Sequence, residues 1–179
     1  MLNCISGFIF YDWGGYMTEA DRRKLRCCFT GHRPEKINGS IELIKSELEK
    51  QIHKAIADGF TVFISGMSRG VDIWAAEIVL RLRNQGQPIR LICAIPYKGF
   101  GENWSNTNCR TKYMQLIKNA DLSGYISPYY HPNCFQIRNE WMVNHSSKVI
   151  AVFNGKSGGT KNTIEYAKKV GVPVVTIPV

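Results

Sequence analysis

The stretch Ser65-Gly66-Met67-Ser68-Arg69-Gly70-Val71-Asp72 constrains this chain more than any other. It directly follows an apolar run over residues 60–64 and opens onto a helical pattern over 73–82, which predicts a strand, a glycine-bearing turn and a helix start. Parallel α/β domains build anion sites in this way. Glycine permits a sharp turn and close approach of a ligand, and the first helical N–H groups carry the positive end of the helix dipole. Arg69 adds a cation to the same turn, so a phosphate-bearing ligand is one reading; a tight connection with a solvated arginine is the other.

The rest of the chain repeats this alternation. Strands are expected over 26–30, 61–65, 89–95, 123–127, 148–153 and 173–177, and helices over 40–58, 71–84, 111–119, 136–146 and 160–170. In the helix over 40–58, Ile41, Ile44, Leu48, Ile52 and Ala55 share one face and Gly59 stops it. The strands are too rich in Val and Ile to have a wet face. That predicts a Rossmann-like, doubly wound, mainly parallel sheet covered on both sides, a three-layer α/β/α arrangement. Ligands in such sheets bind beyond the carboxyl ends of the strands, so the residues just after each strand are the ones to inspect.

The 179 residues suit one domain with a sizeable core, and 44% hydrophobic with 21% charged residues fits a globular chain. No apolar run approaches the roughly 20 residues that cross a bilayer, and the start of the chain makes a poor signal peptide, so no membrane partner and a cytoplasmic address are expected. Residues 1–24 differ from the remainder and are set apart as an N-terminal extension, mis-started or disordered, with Met17 as a second possible initiator; a docked arm is the competing reading. The domain proper is placed at 25–179. Acids and bases balance within 1–24, so the formal net charge of +9 belongs to the domain, a bias toward anionic partners.

Cys27 and Cys28 are adjacent on one expected strand and Cys93 sits inside another, which reads as buried reduced thiols. The one spacing that suggests a metal, His131 to Cys134, lacks a paired CxxC, so neither a metal nor a cofactor is expected.

Three expected strand ends carry glycine and a cation: Gly31-His32-Arg33 with Lys36, the turn at 65–72, and the segment 154–163 with Lys156, Gly158, Gly159, Thr160 and Lys161. In the last of these segments Gly158 and Gly159 remove side chains where a ligand would approach, with Thr160 as the helix cap, a second phosphate cradle. There is no Walker loop and no GxGxxG after a strand, which argues against an ATPase or a nicotinamide dehydrogenase. Two long aperiodic stretches, 96–110 and 128–135, hold Tyr97, Phe100 and Trp104, and Tyr129, Tyr130 and Phe135. They are read as lids that stack on a base, or as loops packed onto the core.

The segment SGMSRGVDIWAAEIVL resembles the SGxxRGxDxxA signature of the Rossmann-like domain of the DprA/Smf proteins, and GKSGGTKNTIEYAKKVGVPVVTIP resembles the matching C-terminal half. With GHRPEK after the first strand and RNEWMV at 138–143, the chain is similar to the YpsA-like branch of the SLOG superfamily from about Arg26 to the end. That resemblance implies a nucleotide-type pocket involving Gly31, Arg33, Gly66, Arg69, Asp72, Arg138, Gly158, Gly159 and Thr160, to which Lys156 is added as a phosphate ligand. Asp72 is expected to orient a sugar hydroxyl or to lock Arg69.

Members of this branch are mostly regarded as sensors or binders of nucleotide-derived ligands, and that role is the expectation here. Two alternatives stay open. The similar LOG enzymes cleave the N-glycosidic bond of nucleoside monophosphates through a GGxGTxxE motif and an arginine. This chain lacks the third glycine, and its Glu165 falls two residues after a threonine instead of three, a rotation of about 100° on a helix. Glu140, Glu165 and Arg138 are the catalytic candidates for that hydrolase. The other alternative is DprA-like binding of single-stranded nucleic acid, which the basic charge and aromatic residues would suit. Self-association into a homo-oligomer is also open.

Overall fold

The computed structural model describes residues 17–179; the expectations for residues 1–16 lie outside the described residues. Helix α1 (Glu19–Lys24) is capped by Thr18, whose hydroxyl accepts from the Asp21 amide. It docks through Arg23 Nε, which donates to the Ser146 carbonyl at 3.0 Å, and through the Glu19–Arg26 ion pair.

From there strands and helices alternate: β1 (Arg26–Gly31), a 3-10 turn (Pro34–Lys36), α2 (Ile41–Ala57), β2 (Val62–Ser65), α3 (Val71–Asn84), β3 (Arg90–Tyr97), α4 (Thr107–Asn119), β4 (Leu122–Ser127), α5 (Cys134–Asn144), β5 (Lys148–Phe153), α6 (Gly159–Lys169) and β6 (Val174–Pro178). The six strands form one sheet in the order β4-β3-β2-β1-β5-β6, and every pair is parallel. It is the expected Rossmann-like α/β architecture.

Alternation along the strands divides the core in two. Cys27, Phe29, Phe63, Leu91 and Cys93 face α2, α3 and α4, while Cys28, Ile64, Ile92 and Val149 face α5 and α6. Burial on both faces accounts for strands that read as continuous apolar runs. The five described cysteines are free; Cys27, Cys28, Cys93 and Cys134 are buried, and burial pushes the Cys28 thiol up to about 12. No group of three or more metal-ligating side chains occurs among the described residues, and no helix of theirs is long and apolar enough to cross a membrane.

Two helix starts differ from the sequence expectation by more than one residue. Helix α4 begins at Thr107 instead of Thr111 because Asn106 caps it, its side-chain oxygen accepting from the Cys109 amide at 2.9 Å; the polar first turn masked the helical period. Helix α5 begins at Cys134 instead of Gln136. Both changes shorten the loops expected to be long. Their rings are largely used in packing: Phe100 meets Tyr97, Trp104, Tyr113 and Phe135 edge-on, with centroids 5.4 to 6.1 Å apart. Tyr129 and Tyr130 remain exposed.

The topology places β1 between β2 and β5, so the chain leaves β1 toward one side of the sheet and later returns on the other. Such a reversal opens a crevice at the carboxyl ends of the two strands. Gly31 closes β1 there, and a Cβ on it would stand 2.5 to 2.7 Å from three Val71 side-chain atoms at the start of α3. Gly31→Ala is therefore expected to lower stability by about 1–3 kcal/mol through overpacking, measured by urea denaturation; an unchanged midpoint would contradict this packing.

Candidate functional site

A cleft of about 330 Å³ lies at this reversal, walled by the end of β1, the turn before α3, the first turns of α5 and the start of α6. Six of the expected site residues line it: Gly31, Arg33, Asp72, Arg138, Gly159 and Thr160. His32, Lys36, Ser68, Phe135 and Asn139 line it as well; Lys36 belongs to the strand-end cations and Phe135 to the aromatic stretches read above as lids, while His32, Ser68 and Asn139 carry no role in the sequence reading. Asn139 was the most accessible of these to inference, since it directly follows Arg138 in the quoted RNEWMV segment.

The turn at 65–72 is built differently from a ligand cradle. Its left-handed residue is Met67, with φ 60°, whose amide donates to Ser65 Oγ at 3.2 Å. Gly66 provides space: a Cβ there would overlap the Arg138 guanidinium and stand 2.8 Å from Asp72 Oδ2. Gly70, at φ 91°, lies so near the preceding loop that a Cβ would stand 2.6 Å from the His32 carbonyl oxygen. Protein therefore occupies the space beside both glycines.

What fills it is a buried ion pair. Arg138 and Asp72 are 3% and 5% exposed, and Arg138 Nη1 sits 3.8 Å from Asp72 Oδ2. The guanidinium also donates to the Gly66 carbonyl, to Ser68 Oγ at 3.1 Å and to Asn139 Oδ1 at 2.8 Å. Asp72 Oδ2 accepts from the Ser68 amide at 3.1 Å. Burial pushes the Asp72 carboxyl up, against the pull of Arg138 and that amide. Asp72 thus locks Arg138, whereas Arg69 pairs with Glu35 on the other side of the turn.

The start of α6 is the opposite case. Gly158, the N-cap at φ 140°, would find no atom within 4 Å of an added Cβ, and Gly159 only the Asn139 amide nitrogen at 3.9 Å. As the first two residues of the helix, Gly159 and Thr160 have amides without an intrahelical acceptor, and both residues line the cleft beside Arg33, which has no ion-pair partner among the described residues. Thr160 is buried within the first turn and is not the cap expected from the sequence. Lys156 is exposed outside the lining, its amide donating to Asn154 Oδ1 at 3.0 Å, and Lys161 pairs with Glu165 at 3.7 Å. Glu165 is exposed and Glu140 accepts from Gln136 at 2.8 Å; neither lines the cleft.

His32 ties the two strand ends together. Its Nε2 accepts from the Asn154 amide at 3.3 Å, and the Asn154 side chain donates to the Lys36 carbonyl at 2.8 Å. Burial first, then the Lys36 charge, hold the His32 imidazole below its ordinary 6.5, with the Asn154 contact opposing them.

An open, all-parallel α/β sheet with glycine-bearing helix starts at its topological reversal defines a Rossmann-like domain. The chain belongs to the YpsA family of SLOG proteins: the model described as the YspA SLOG family matches residues 27–172. It is 30% identical over 132 residues to a UPF0398 protein of Halalkalibacterium halodurans, covering 72% of this chain and 69% of that one. It is 28% identical over 151 residues to a UPF0398 protein of Bacillus cereus, covering 79% and 82%. Among solved structures it resembles DNA processing protein A from Helicobacter pylori, described for its single-stranded DNA binding mode, with a TM-score of 0.62 at 23% identity over 90% of this chain and 68% of that one. At that identity the likeness concerns the fold.

Two predictions follow from the buried pair and from the histidine. Arg138→Met leaves a buried carboxylate without its cation and is expected to cost about 3–5 kcal/mol; adding Asp72→Asn should recover part of that loss in chemical denaturation. If the double variant is no more stable than Arg138→Met, the pair is not what holds the turn. A histidine held below its ordinary value binds fewer protons folded than unfolded, so its contribution is complete above pH 6.5 and is lost as pH falls below it. In His32→Gln the amide oxygen replaces Nε2 without titrating, and the fall in melting temperature below that pH should become shallower; an identical slope would remove His32 from the link.

Proposed function

We propose that the cleft binds a nucleotide or nucleotide-derived ligand by its phosphate, and that the protein acts as a sensor or regulatory member of its family. One contrast carries this reading: the space beside the glycines before α3 is filled by protein, whereas that beside Gly158 and Gly159 is clear, and the first amides of α6, without intrahelical acceptors, border the cleft beside Arg33, which has no ion-pair partner among the described residues. Main-chain N–H groups at a helix start suit phosphate oxygens, and an arginine without a carboxylate partner can make charge-assisted bonds to them. Of the expected ligands, Arg33, Gly158, Gly159 and Thr160 form the anion end, with Lys36 added to them. Gly31, Gly66, Asp72 and Arg138 shape the wall, and Arg69 and Lys156 stand outside it. The unbridged thiols suit a reducing compartment such as the cytoplasm.

Single-stranded nucleic acid is a second reading, favoured by the net charge of +9 and by exposed Tyr129 and Tyr130. The N-glycosidase reading has less support. Among the described residues the carboxylate lining the cleft is Asp72, which is committed to Arg138, while Glu140 and Glu165 lie elsewhere.

Small molecules retained by the natively purified protein, released and analysed by mass spectrometry, test this reading. Nucleotide-type phosphates are expected, lost in Arg33→Ala and reduced in Gly159→Val. Neither substitution should move the melting temperature much, since Arg33 is exposed and an added Cβ at Gly159 meets only the Asn139 side-chain nitrogen at 3.9 Å. Retention that survives both substitutions would contradict the placement. Release of free base from nucleoside monophosphates would replace the sensor reading with the hydrolase.

A further inference from the structure

A second cleft of about 370 Å³ adjoins the first, and the two share Arg33 and Ser68 as a common wall. Its remaining lining is Arg69, Phe100, Asn103, Trp104, Ser105 and Asn106. The chemistry of the two differs. The first holds the open α6 amides with Arg33 and Lys36; in the second the cation, Arg69, is already met by Glu35. An anion is therefore drawn to the first cleft and to the junction at Arg33, and a neutral group suits the second.

The second cleft offers what a heterocyclic base uses. Trp104 is half-buried in its wall and is held from the protein side, its ring centroid 5.1 Å from Tyr113 and 5.5 Å from Phe100. Aromatic side chains provide a stacking platform for any base. Asn103 and Asn106 add carboxamides, which donate and accept along a base edge. Asn106 uses its oxygen on the Cys109 amide, leaving its N–H groups, while the Asn103 side chain makes no hydrogen bond among the described residues. Each cleft stands at the low end of the roughly 300–1,000 Å³ of small-molecule sites.

We propose that the two clefts form one groove for a ligand with two nucleoside arms linked by phosphate, the linkage at Arg33, one arm in the first cleft and the base of the other against Trp104. The inference rests on the phosphate reading of the first cleft. Two sources share this chemistry: a free dinucleotide and adjacent nucleotides of a single strand.

Calorimetric titration of the full chain separates the outcomes. The probes are the common nucleoside 5′-monophosphates, the corresponding 5′-phosphorylated dinucleotides, a pyrophosphate-linked dinucleoside and a longer single-stranded oligonucleotide. A two-armed ligand should bind about tenfold more tightly than the better of its monophosphates, the scale of one stacked base. Trp104→Ala and Asn103→Ala should each remove most of that gain and leave monophosphate binding unchanged, and Trp104→Phe, which keeps a ring between Phe100 and Tyr113, should restore part of it. Further tightening with the longer strand assigns the groove to nucleic acid, and a plateau at the dinucleotide assigns it to a free ligand. Equal affinity for monophosphates and two-armed probes would overturn the groove and leave the first cleft standing. Binding of neither would overturn both.

Discussion

The Arg138 guanidinium is the interaction on which the site depends. From α5 it reaches across the sheet end to the turn between β2 and α3, gripping the Gly66 carbonyl, Ser68 Oγ and Asp72 while its own neighbour Asn139 takes the remaining bond. Elements from the two helical layers are thereby fixed to each other above the sheet. A buried charge pair of this kind is weak evidence for net stability, because desolvation opposes the attraction. Its consequence is geometric: with Gly70 tucked under the His32 carbonyl and Gly31 against Val71, three loops are packed together at the floor of the cleft.

Much of the architecture was legible because a parallel sheet buried on both faces writes itself as apolar runs separated by amphipathic helices. The strand over 148–153 and the helix over 71–84 appear with those bounds. The start of α4 was hidden by chemistry that periodicity does not see, an asparagine cap followed by polar residues. The site was legible as a set of strand ends and not as a set of contacts. The composition of the turn at 65–72 suggests a cradle, yet whether a glycine faces a ligand or another side chain depends on what a distant segment brings. Here Arg138, 72 residues away from Gly66, decides it. Asp72 was expected to orient a sugar hydroxyl or to lock Arg69; the fold gives Asp72 and Arg69 partners from elsewhere, Arg138 and Glu35.

The same comparison explains how one glycine pattern serves two ends. Before α3 the missing side chains admit other parts of the protein, and before α6 they leave the space beside the helix start clear.

The most direct measurement is the shift of backbone amide resonances when a nucleoside 5′-monophosphate is added to isotope-labelled protein. The account predicts the largest shifts at Gly159, Thr160 and Arg33, with Gly66 and Gly70 much less affected. Shifts concentrated at Ser68, Arg69 and Gly70 with α6 unmoved, or no shifts at the strand ends, would contradict it.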